Sequence, residues 1–321
     1  MERARAWIET ARGRALGELC AIRGGAGQRR YYRARFADGS SAILMHALPE
    51  DPAILPPALR AAADELPFLE VTEYLARHGL PVPEIYAVLR PERWVLLEDL
   101  GDVHLLDLEA AARSVRLGEA VDLLARVHAL PREDALPFRR AFDAEWVRFE
   151  LRTFAEHGLA ERWRAPLSPE LDALARAVAA LPRVLSLRDY QSQNLMIDSR
   201  GGLRLLDYQD ALCAPPELDL AALVHDSYVE LEPAERAALV ERYWRARGQR
   251  FDPEAFALLV VQRKCKDYGR YRVLVERKGD HRYRPFIARA AEAVLEAVPK
   301  LPPAQRRLGE QLRQALAETA P

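Results

Sequence analysis

The sequence lacks a surplus of charge of either sign. Its 47 lysines and arginines stand against 48 aspartates and glutamates, which leaves a net charge of −1 at pH 7. Proteins that bind nucleic acid or anionic membranes mainly by electrostatics carry a basic surplus. One basic stretch, residues 263–284, is interleaved with tyrosines, but its helical pattern favours a solvated helix face. We therefore expect no nucleic-acid or membrane partner, and a small, specific ligand is favoured.

Cysteines and long apolar runs are also scarce. The three cysteines, Cys20, Cys213 and Cys265, lie far apart without C-x-x-C spacing, so neither a disulfide framework nor a zinc site is expected. The longest apolar runs, such as residues 256–261, are far too short to cross a bilayer, and the charged N-terminus does not resemble a signal peptide. These absences favour a cytoplasmic protein, and we expect it to be a monomer.

The pattern of apolar residues changes near residue 100. Before it, residues 29–48 predict a β-hairpin, residues 65–79 a helix that ends at a glycine, and residues 84–101 two more strands. After it, helical periodicity dominates, over residues 111–130, 142–157, 171–181, 233–248, 253–278 and 285–301. We predict an α+β fold with a small β-rich lobe, residues 1–100, and a larger helical lobe, residues 101–321.

Three polar residues in the helical lobe have the spacing of a kinase active site. Asp189 precedes Asn194 by five residues, and Asp207 follows Asn194 by thirteen, as in a kinase catalytic loop and its metal-binding Asp. Short apolar segments, residues 184–188 and 203–206, predict a hairpin-like unit that brings both Asp residues to one side. Asp189 would accept the proton of the acceptor hydroxyl, and Asn194 and Asp207 would hold Mg²⁺ against the phosphates of ATP.

The chain resembles the aminoglycoside phosphotransferase and choline kinase superfamily. Within it, the sequence is most similar to the bacterial anomeric kinases of cell-wall recycling, which phosphorylate N-acetylmuramate and N-acetylglucosamine at the 1-hydroxyl. The residues that carry this likeness are RRYYR (29–33), EDLGD (98–102), RDYQSQNLM (188–196), LLDYQDA (205–211), PPELDLAALVHDSYV (215–229) and VQRKCKDYGRY (261–271). The resemblance implies a two-lobed protein-kinase-like fold, in which the first lobe binds ATP and the second carries the catalytic loop and the sugar site.

Two positions depart from the superfamily pattern. Leu187 replaces the His that often precedes the Arg of the loop, and Met45 stands where a kinase places its phosphate-pairing Lys. The chain has only four lysines, all of them after residue 263. Arginines that follow a glycine-rich run would supply the missing charge by forked hydrogen bonds, although each alone is as readily a solvated charge. The nucleotide-binding candidates of this segment are Gly25, Gly27, Arg29, Arg30 and Arg33.

Further candidates have weaker support. Glu98 and Leu100 would offer backbone groups to adenine. Asp219 is placed to cap a helix, whereas the resemblance implies that it supports the catalytic loop. Glu150 and Arg263 lie on helices expected to wall the acceptor site, where they would bind sugar hydroxyls, although surface charges are the commoner outcome.

Two alternatives stay open. The acceptor could be an aminoglycoside or a choline-like amino alcohol, or the chain could be a nucleotide-binding pseudokinase without activity. The absent lysine is the only argument for a pseudokinase, while the retained Asp189, Asn194 and Asp207 favour catalysis.

Overall fold

The computed structural model describes residues 1–22, 29–49, 56, 59 and 66–319. They form two compact units. The first unit consists of Met1–Val103 together with Met196–Leu206, and the second of His104–Leu195 together with Asp207–Pro321. The predicted nucleotide-binding Gly25 and Gly27 lie outside the described residues. The assignment of nucleotide binding to residues 1–100 and acceptor binding to residues 101–321 stays a prediction.

The first unit is built on an antiparallel sheet. Its elements are α1 (Glu2–Arg12), β1 (Leu16–Ile22), β2 (Arg30–Phe36), β3 (Ser41–His46), α2 (Pro67–Arg77), β4 (Ile85–Leu89) and β5 (Trp94–Glu98). These strands form one five-stranded sheet in the order β1-β2-β3-β5-β4. The hairpin, the helix and the strand pair predicted from the sequence are confirmed, while α1 and β1 were not predicted.

The hairpin turn and strand alternation decide which side chains share a face of this sheet. At the turn, Gly39 has φ +83°, and the Asp38 carboxylate accepts a hydrogen bond from the Ser40 N–H at 3.0 Å. Ala34 and Phe36 point towards a core shared with α1. The residues that alternate with them along β2 point to the other face of the sheet. Arg33 and Tyr31 therefore share that face with Ile43 and Met45, their partners on β3.

The second unit is mostly helical. Its helices are α3 (Ala110–His128), α4 (Ala144–Thr153), α5 (Glu161–Ala179), α6 (Glu217–Val224), α7 (Pro233–Arg247), α8 (Pro253–Glu276), α9 (Arg284–Ala297) and α10 (Arg306–Thr319). A short π-helical turn, Phe154–Gly158, continues α4. Together the two units confirm the predicted α+β class, with a small antiparallel sheet before a larger helical part.

Four short strands precede or follow the predicted catalytic loop in sequence: β6 (Val184–Ser186), β7 (Leu195–Ile197), β8 (Leu203–Leu205) and β9 (Leu212–Ala214). β6 pairs with β9, and β7 pairs with β8. The prediction that residues 184–188 and 203–206 form one hairpin-like unit was therefore wrong. The nearer apolar segment, β7, follows Asn194 directly and takes β8 as its partner, so that β6 pairs with a strand farther along the chain.

Among the helices that the structure describes, none has the length and apolar character needed to cross a bilayer.

Candidate active site

The catalytic loop, residues 187–194, follows β6, and the segment of residues 207–211 precedes β9. Because β6 and β9 are antiparallel, with Ser186 opposite Leu212, both segments leave the strand pair at the same end. Asn194 is tied to the loop, because its Nδ2 donates to the Asp189 backbone oxygen at 2.8 Å. Arg188 and Asp207 both have positive φ, at +67° and +56°. Such backbone strain in non-glycine residues is concentrated at functional sites.

Asp189 is partly buried among cations. Its side chain is 25% exposed, and its Oδ1 forms an ion pair with Arg263 Nη2 at 2.9 Å. Lys266 Nζ lies 3.6 Å from the same oxygen. Burial alone would raise the pKa of Asp189, but the charges of Lys266, Arg263 and Arg188 outweigh it and hold this pKa well below its ordinary value. Asp189 is therefore a carboxylate at any physiological pH and can accept a hydrogen bond from a hydroxyl.

Arg263 lies under the catalytic loop. Its side chain is 3% exposed. Nη1 donates to the Arg188 backbone oxygen at 2.8 Å, and Nη2 donates to Gln191 Oε1 at 3.2 Å. The interpretation of residues 263–284 as a solvated helix face was wrong here, because α8 buries Arg263 and pairs its charge with Asp189. Its predicted hydrogen bonds to a sugar stay a prediction, since these donors are directed at the loop.

Glu150, on α4, is also buried rather than on the surface. Its Oε1 accepts hydrogen bonds from Arg188 Nη2 at 2.6 Å and Trp146 Nε1 at 3.2 Å, and its Oε2 accepts one from Gln262 Nε2 at 2.9 Å. Burial alone would raise the pKa of Glu150, but Lys266 and Arg188 outweigh it and lower this pKa. Glu150 is thus the counter-ion of the strained Arg188, and its predicted contact with the sugar stays a prediction.

Asp219 holds the start of the catalytic loop. It lies in the first turn of α6, but the N-cap residue there is Pro216, so the cap that the sequence favoured is not formed by Asp219. Its carboxylate instead accepts the Leu187 N–H at 2.8 Å and the Ser186 hydroxyl at 2.9 Å. The side chain thus contacts residues at the start of the loop, and its implied role in supporting catalysis stays a prediction.

A neutral histidine continues this network. His128 Nε2 lies 3.1 Å from Asp219 Oδ2, and His128 Nδ1 lies 2.6 Å from the Tyr243 hydroxyl. Burial lowers the pKa of His128 although Asp219 opposes the shift, so the ring is neutral. The consistent arrangement has Nε2–H donating to Asp219 and Nδ1 accepting from Tyr243. No local sequence pattern marks the partners of His128.

A second buried carboxylate, which the sequence analysis missed, holds the other end of the loop. Asp226 Oδ2 accepts the Ser192 N–H at 2.7 Å and the Ser192 hydroxyl at 2.5 Å. Asp226 lies seven residues after Asp219, two residues beyond the end of α6. This short separation from Asp219 was an available signal that both could contact the same loop. Two Asp residues therefore fix residues 187 and 192 on either side of Asp189.

Asn194 and Asp207 have the chemistry of Mg²⁺ ligands. The Asn194 amide uses its nitrogen to bond Asp189, which leaves its oxygen for a hard cation. Asp207 is exposed, and its Oδ1 accepts a hydrogen bond from Gln209 Nε2 at 3.2 Å. The described residues contain no group of three or more His, Cys, Asp or Glu side chains arranged for a metal. Mg²⁺ commonly takes only one or two protein carboxylates together with substrate phosphates and water, and these two residues fit that pattern.

Met45, at the position where a kinase places its lysine, is 1% exposed. Arg33 shares its face of the sheet. The Arg33 guanidinium contacts two carboxylates, through Nη2 to Asp99 Oδ1 at 3.1 Å and Nη1 to Asp102 Oδ2 at 2.9 Å. Arg30 pairs with His46 and points to the opposite face of the sheet from Arg33. Arg29 immediately precedes β2. A role in phosphate binding stays a prediction for all three arginines.

Glu98 is the last residue of β5, and Leu100 lies two residues beyond it. The Glu98 carboxylate pairs with Arg204, whose Nη1 lies 3.1 Å from Oε1, and it accepts the Glu84 N–H at 3.1 Å. Leu100 is 6% exposed. The side chain of Glu98 is therefore structural, and backbone contacts from either residue to adenine stay a prediction.

Comparison with known proteins gives matches over most of the chain. Residues 18–259 match the model of a family described as "Phosphotransferase enzyme family". An N-acetylmuramate/N-acetylglucosamine kinase from Neisseria meningitidis is 31% identical over 306 residues, covering 88% of this chain and 86% of that protein. One from Pseudomonas aeruginosa is 31% identical over 304 residues, covering 89% and 85%. The crystal structure of a choline kinase from Streptococcus pneumoniae has a TM-score of 0.66 at 17% identity, covering 92% and 99%, which is a likeness of fold alone.

Proposed function

The chain belongs to the phosphotransferase enzyme family, and we propose that it phosphorylates the anomeric 1-hydroxyl of N-acetylglucosamine, N-acetylmuramate or both. Family membership confirms the resemblance stated from the sequence, and the enzyme is an ATP-dependent kinase. The observation that carries the choice of substrate is the 31% identity, over 88% of the chain, to a kinase of these two sugars. The resemblance adds the 1-position, a role in cell-wall recycling and a cytoplasmic setting, all of which are parts of the proposal.

Asp189 carries the chemistry of this proposal. The acceptor oxygen attacks the γ-phosphorus, its bond to that phosphorus forms as the bond to the leaving ADP oxygen breaks, and its proton passes to Asp189. Arg263, Asp219 and Asp226 hold the loop, so the carboxylate is oriented before the acceptor binds. Asn194 and Asp207 would hold Mg²⁺, which neutralises charge on the phosphates when bound.

The charges near Asp189 favour a neutral or acidic acceptor over a cationic one. Arg263 and Lys266 both lie within 4 Å of Asp189 Oδ1, at 2.9 and 3.6 Å. An aminoglycoside or choline-like acceptor would bring further positive charge to this place, where sites for such ligands present carboxylates or aromatic faces. The retained Asp189, Asn194 and Asp207 argue against a pseudokinase.

Phosphorus NMR of the product tests the proposal. Purified enzyme with Mg·ATP and either sugar should give a phosphate signal split by coupling to the anomeric proton. A phosphate on the 6-hydroxyl would contradict the anomeric assignment and leave the kinase intact. Turnover of an aminoglycoside or choline, with neither sugar accepted, would replace the proposed substrate.

A blocked sugar provides the matched control. The methyl 1-glycoside of N-acetylglucosamine keeps the acetamido group and the other hydroxyls but has no free 1-hydroxyl. It should bind competitively and yield no phosphorylated sugar, because the only oxygen placed against Asp189 carries a methyl group. Its phosphorylation would show that another hydroxyl is the acceptor.

A further inference from the structure

Lys266, on α8, is a cation that lies beside the reacting carboxylate of Asp189. Its Nζ lies 3.6 Å from Asp189 Oδ1 and 4.0 Å from Glu150 Oε1. Both distances exceed those of charge-assisted hydrogen bonds, which are about 2.7–2.9 Å. Among the residues that the structure describes, its ammonium forms no hydrogen bond, although its side chain is only 12% exposed. An ammonium has three donors, and these are available to an incoming ligand.

The neighbouring cations of the same helix are satisfied by the protein. Arg263 donates to Arg188 O and Gln191 Oε1. Lys264 is 2% exposed, and its Nζ donates to Ser227 Oγ and Asp267 Oδ2, both at 3.1 Å. These two residues therefore have structural roles, and Lys266 differs from both in facing the reacting carboxylate with its donors unused.

The protein stabilises the charge of Lys266 poorly. Burial and the charge of Arg263 lower its pKa, and the attractions of Asp189 and Glu150 only partly offset this. A bound anion at hydrogen-bond distance would stabilise the charged form. The transferring phosphoryl group is the anion that must come to Asp189 in every turnover.

We propose that Lys266 is a catalytic residue, whose ammonium donates hydrogen bonds to the oxygens of the transferring phosphoryl group as it reaches the acceptor hydroxyl on Asp189. A hydroxyl bound to Asp189 places its oxygen about 2.7 Å from the carboxylate. A donor 3.6 Å from that carboxylate then lies within reach of both the attacking oxygen and the phosphoryl oxygens. The ammonium stays protonated throughout, since the hydroxyl proton passes to Asp189. The proposal rests on the proposed phosphoryl transfer but not on which sugar accepts it.

Substitution by methionine keeps the length of the side chain and removes the charge. Lys266→Met should lower kcat by about 10²- to 10³-fold, the usual cost of losing one donor to a transition-state oxygen. Its affinity for Mg·ATP should change by less than about threefold, because the contact forms during transfer. Lys266→Arg, which keeps the charge, should recover about a tenth or more of the lost rate. Lys278→Met, at an exposed lysine beyond the end of α8, is the matched control and should keep full activity.

A double mutant separates catalysis from mere positioning. If Lys266 acts only by orienting Asp189, Lys266→Met should cost nothing further in an Asp189→Asn background. The proposal requires a further loss of at least about 30-fold there, measured by product NMR over long incubations. The proposal also requires Lys266→Met to hydrolyse ATP with water more slowly than the wild-type enzyme does. This measurement needs no sugar.

The outcomes are distinct for the two proposals. Failure of both sugars to react would overturn the proposed substrate, while the ATP hydrolysis comparison would still decide the role of Lys266. Normal turnover in a folded Lys266→Met protein would overturn the proposed role, and so would a loss that disappears in the Asp189→Asn background. If Lys266→Met does not fold, as judged by its thermal transition, Lys266→Gln removes the charge while keeping a polar end and gives the same comparison. Wild-type kcat and wild-type hydrolysis in that variant would then overturn the proposal.

Discussion

At the scale of single residues, Asp189 is held ionised and oriented before any substrate arrives. Asp189→Asn keeps the size of the side chain and its contact with Arg263, but removes the proton acceptor. We expect kcat to fall by about two to four decades, with the protein still folded and its Mg·ATP affinity nearly unchanged. Steady-state kinetics together with nucleotide titration measure both. Near-normal turnover would remove Asp189 from the mechanism.

The replacement of the phosphate-pairing lysine can also be tested at single residues. Arg33 shares the sheet face of Met45, and its partner Asp102 has a side chain that is 76% exposed. That pair is weak, so the guanidinium can exchange Asp102 for a phosphate. We expect Arg33→Ala to raise the KM for ATP about tenfold, the loss of a charge-assisted hydrogen bond.

Arg35→Ala is the matched control, because Arg35 lies in the same strand and its guanidinium pairs with Glu18 at 3.0 Å. Its KM for ATP should stay within about twofold of the wild-type value. Equal effects of the two substitutions would mean that neither arginine stands in for the lysine. A comparison of thermal stability shows whether the lost contact with Asp99 has unfolded the sheet instead.

Sequence reasoning found the residues that perform chemistry better than the residues that hold them. Asp189, Asn194 and Asp207 lie within nineteen positions, so their spacing could be compared directly with a kinase loop. Lys266 reaches Asp189, and Glu150 reaches Arg188, from helices far away in sequence. Periodicity could not show that these charges point inwards, because a buried ion pair and a solvated charge have the same local sequence.

At the scale of elements, the prediction was good where contacts are local and poor where they are not. The hairpin of β2 and β3 was found because its turn residues adjoin both strands. The pairing of β6 with β9 was missed, because two strands of only three residues each carry almost no pattern of their own. Helix α5 begins at Glu161, ten residues before the predicted start, and continues through Pro166 and Pro169, which would ordinarily interrupt a helix.

The position of α8 depends on close packing at one glycine. A Cβ added to Gly269 would lie 2.6 Å from the backbone N and Cα of Phe154. Backbone atoms cannot move aside as a side chain can, so Gly269→Ala must displace α8. We expect it to lower the free energy of unfolding by about 2 kcal/mol or more, despite a gain of about 1 kcal/mol in helix propensity. Because α8 also carries Lys266, kcat should fall as well.

Gly118, inside α3, is the matched control for this substitution. A Cβ there would meet only the end of the Arg242 side chain, with Nη1 at 2.7 Å. That side chain is 48% exposed and can swing away. Gly118→Ala should therefore change the free energy of unfolding by less than about 1 kcal/mol in urea titrations. Equal losses in the two variants would show that the backbone contact at Phe154 does not decide the packing of α8.

At the scale of the whole molecule, the net charge is close to zero, yet a set of charged side chains is buried. Glu150, Arg188, Arg263 and Lys264 are all less than a tenth exposed. Replacing one member of such a set leaves its partner unpaired, which commonly costs about 3–5 kcal/mol. Burial of these charges thus fixes the geometry of the active site at some expense in stability, and most of them have a partner of opposite sign.

Glu217 is a buried carboxyl group whose ionisation should cost stability, which gives the enzyme a pH dependence separate from its chemistry. It is 6% exposed, in the first turn of α6. Burial, with a smaller contribution from Asp252, raises its pKa from 4.5 to about 7. Between these two values the folded protein binds the proton more strongly than the unfolded chain does. Stability therefore falls as pH rises through this window and stays lower above it, by on the order of 3 kcal/mol.

Glu217→Gln cannot ionise, so its advantage over the wild-type protein should appear only as the pH rises. Urea unfolding at pH 5 and pH 8 should give a difference in the free energy of unfolding that grows by about 2–3 kcal/mol between the two conditions. All other titrating groups are common to both proteins and cancel in the comparison. Glu254→Gln, at an exposed position in the first turn of α8, is the control and should give the same small difference at both values. A difference for Glu217→Gln that does not change with pH would mean that this carboxyl group ionises at the same pH in the folded and unfolded chains.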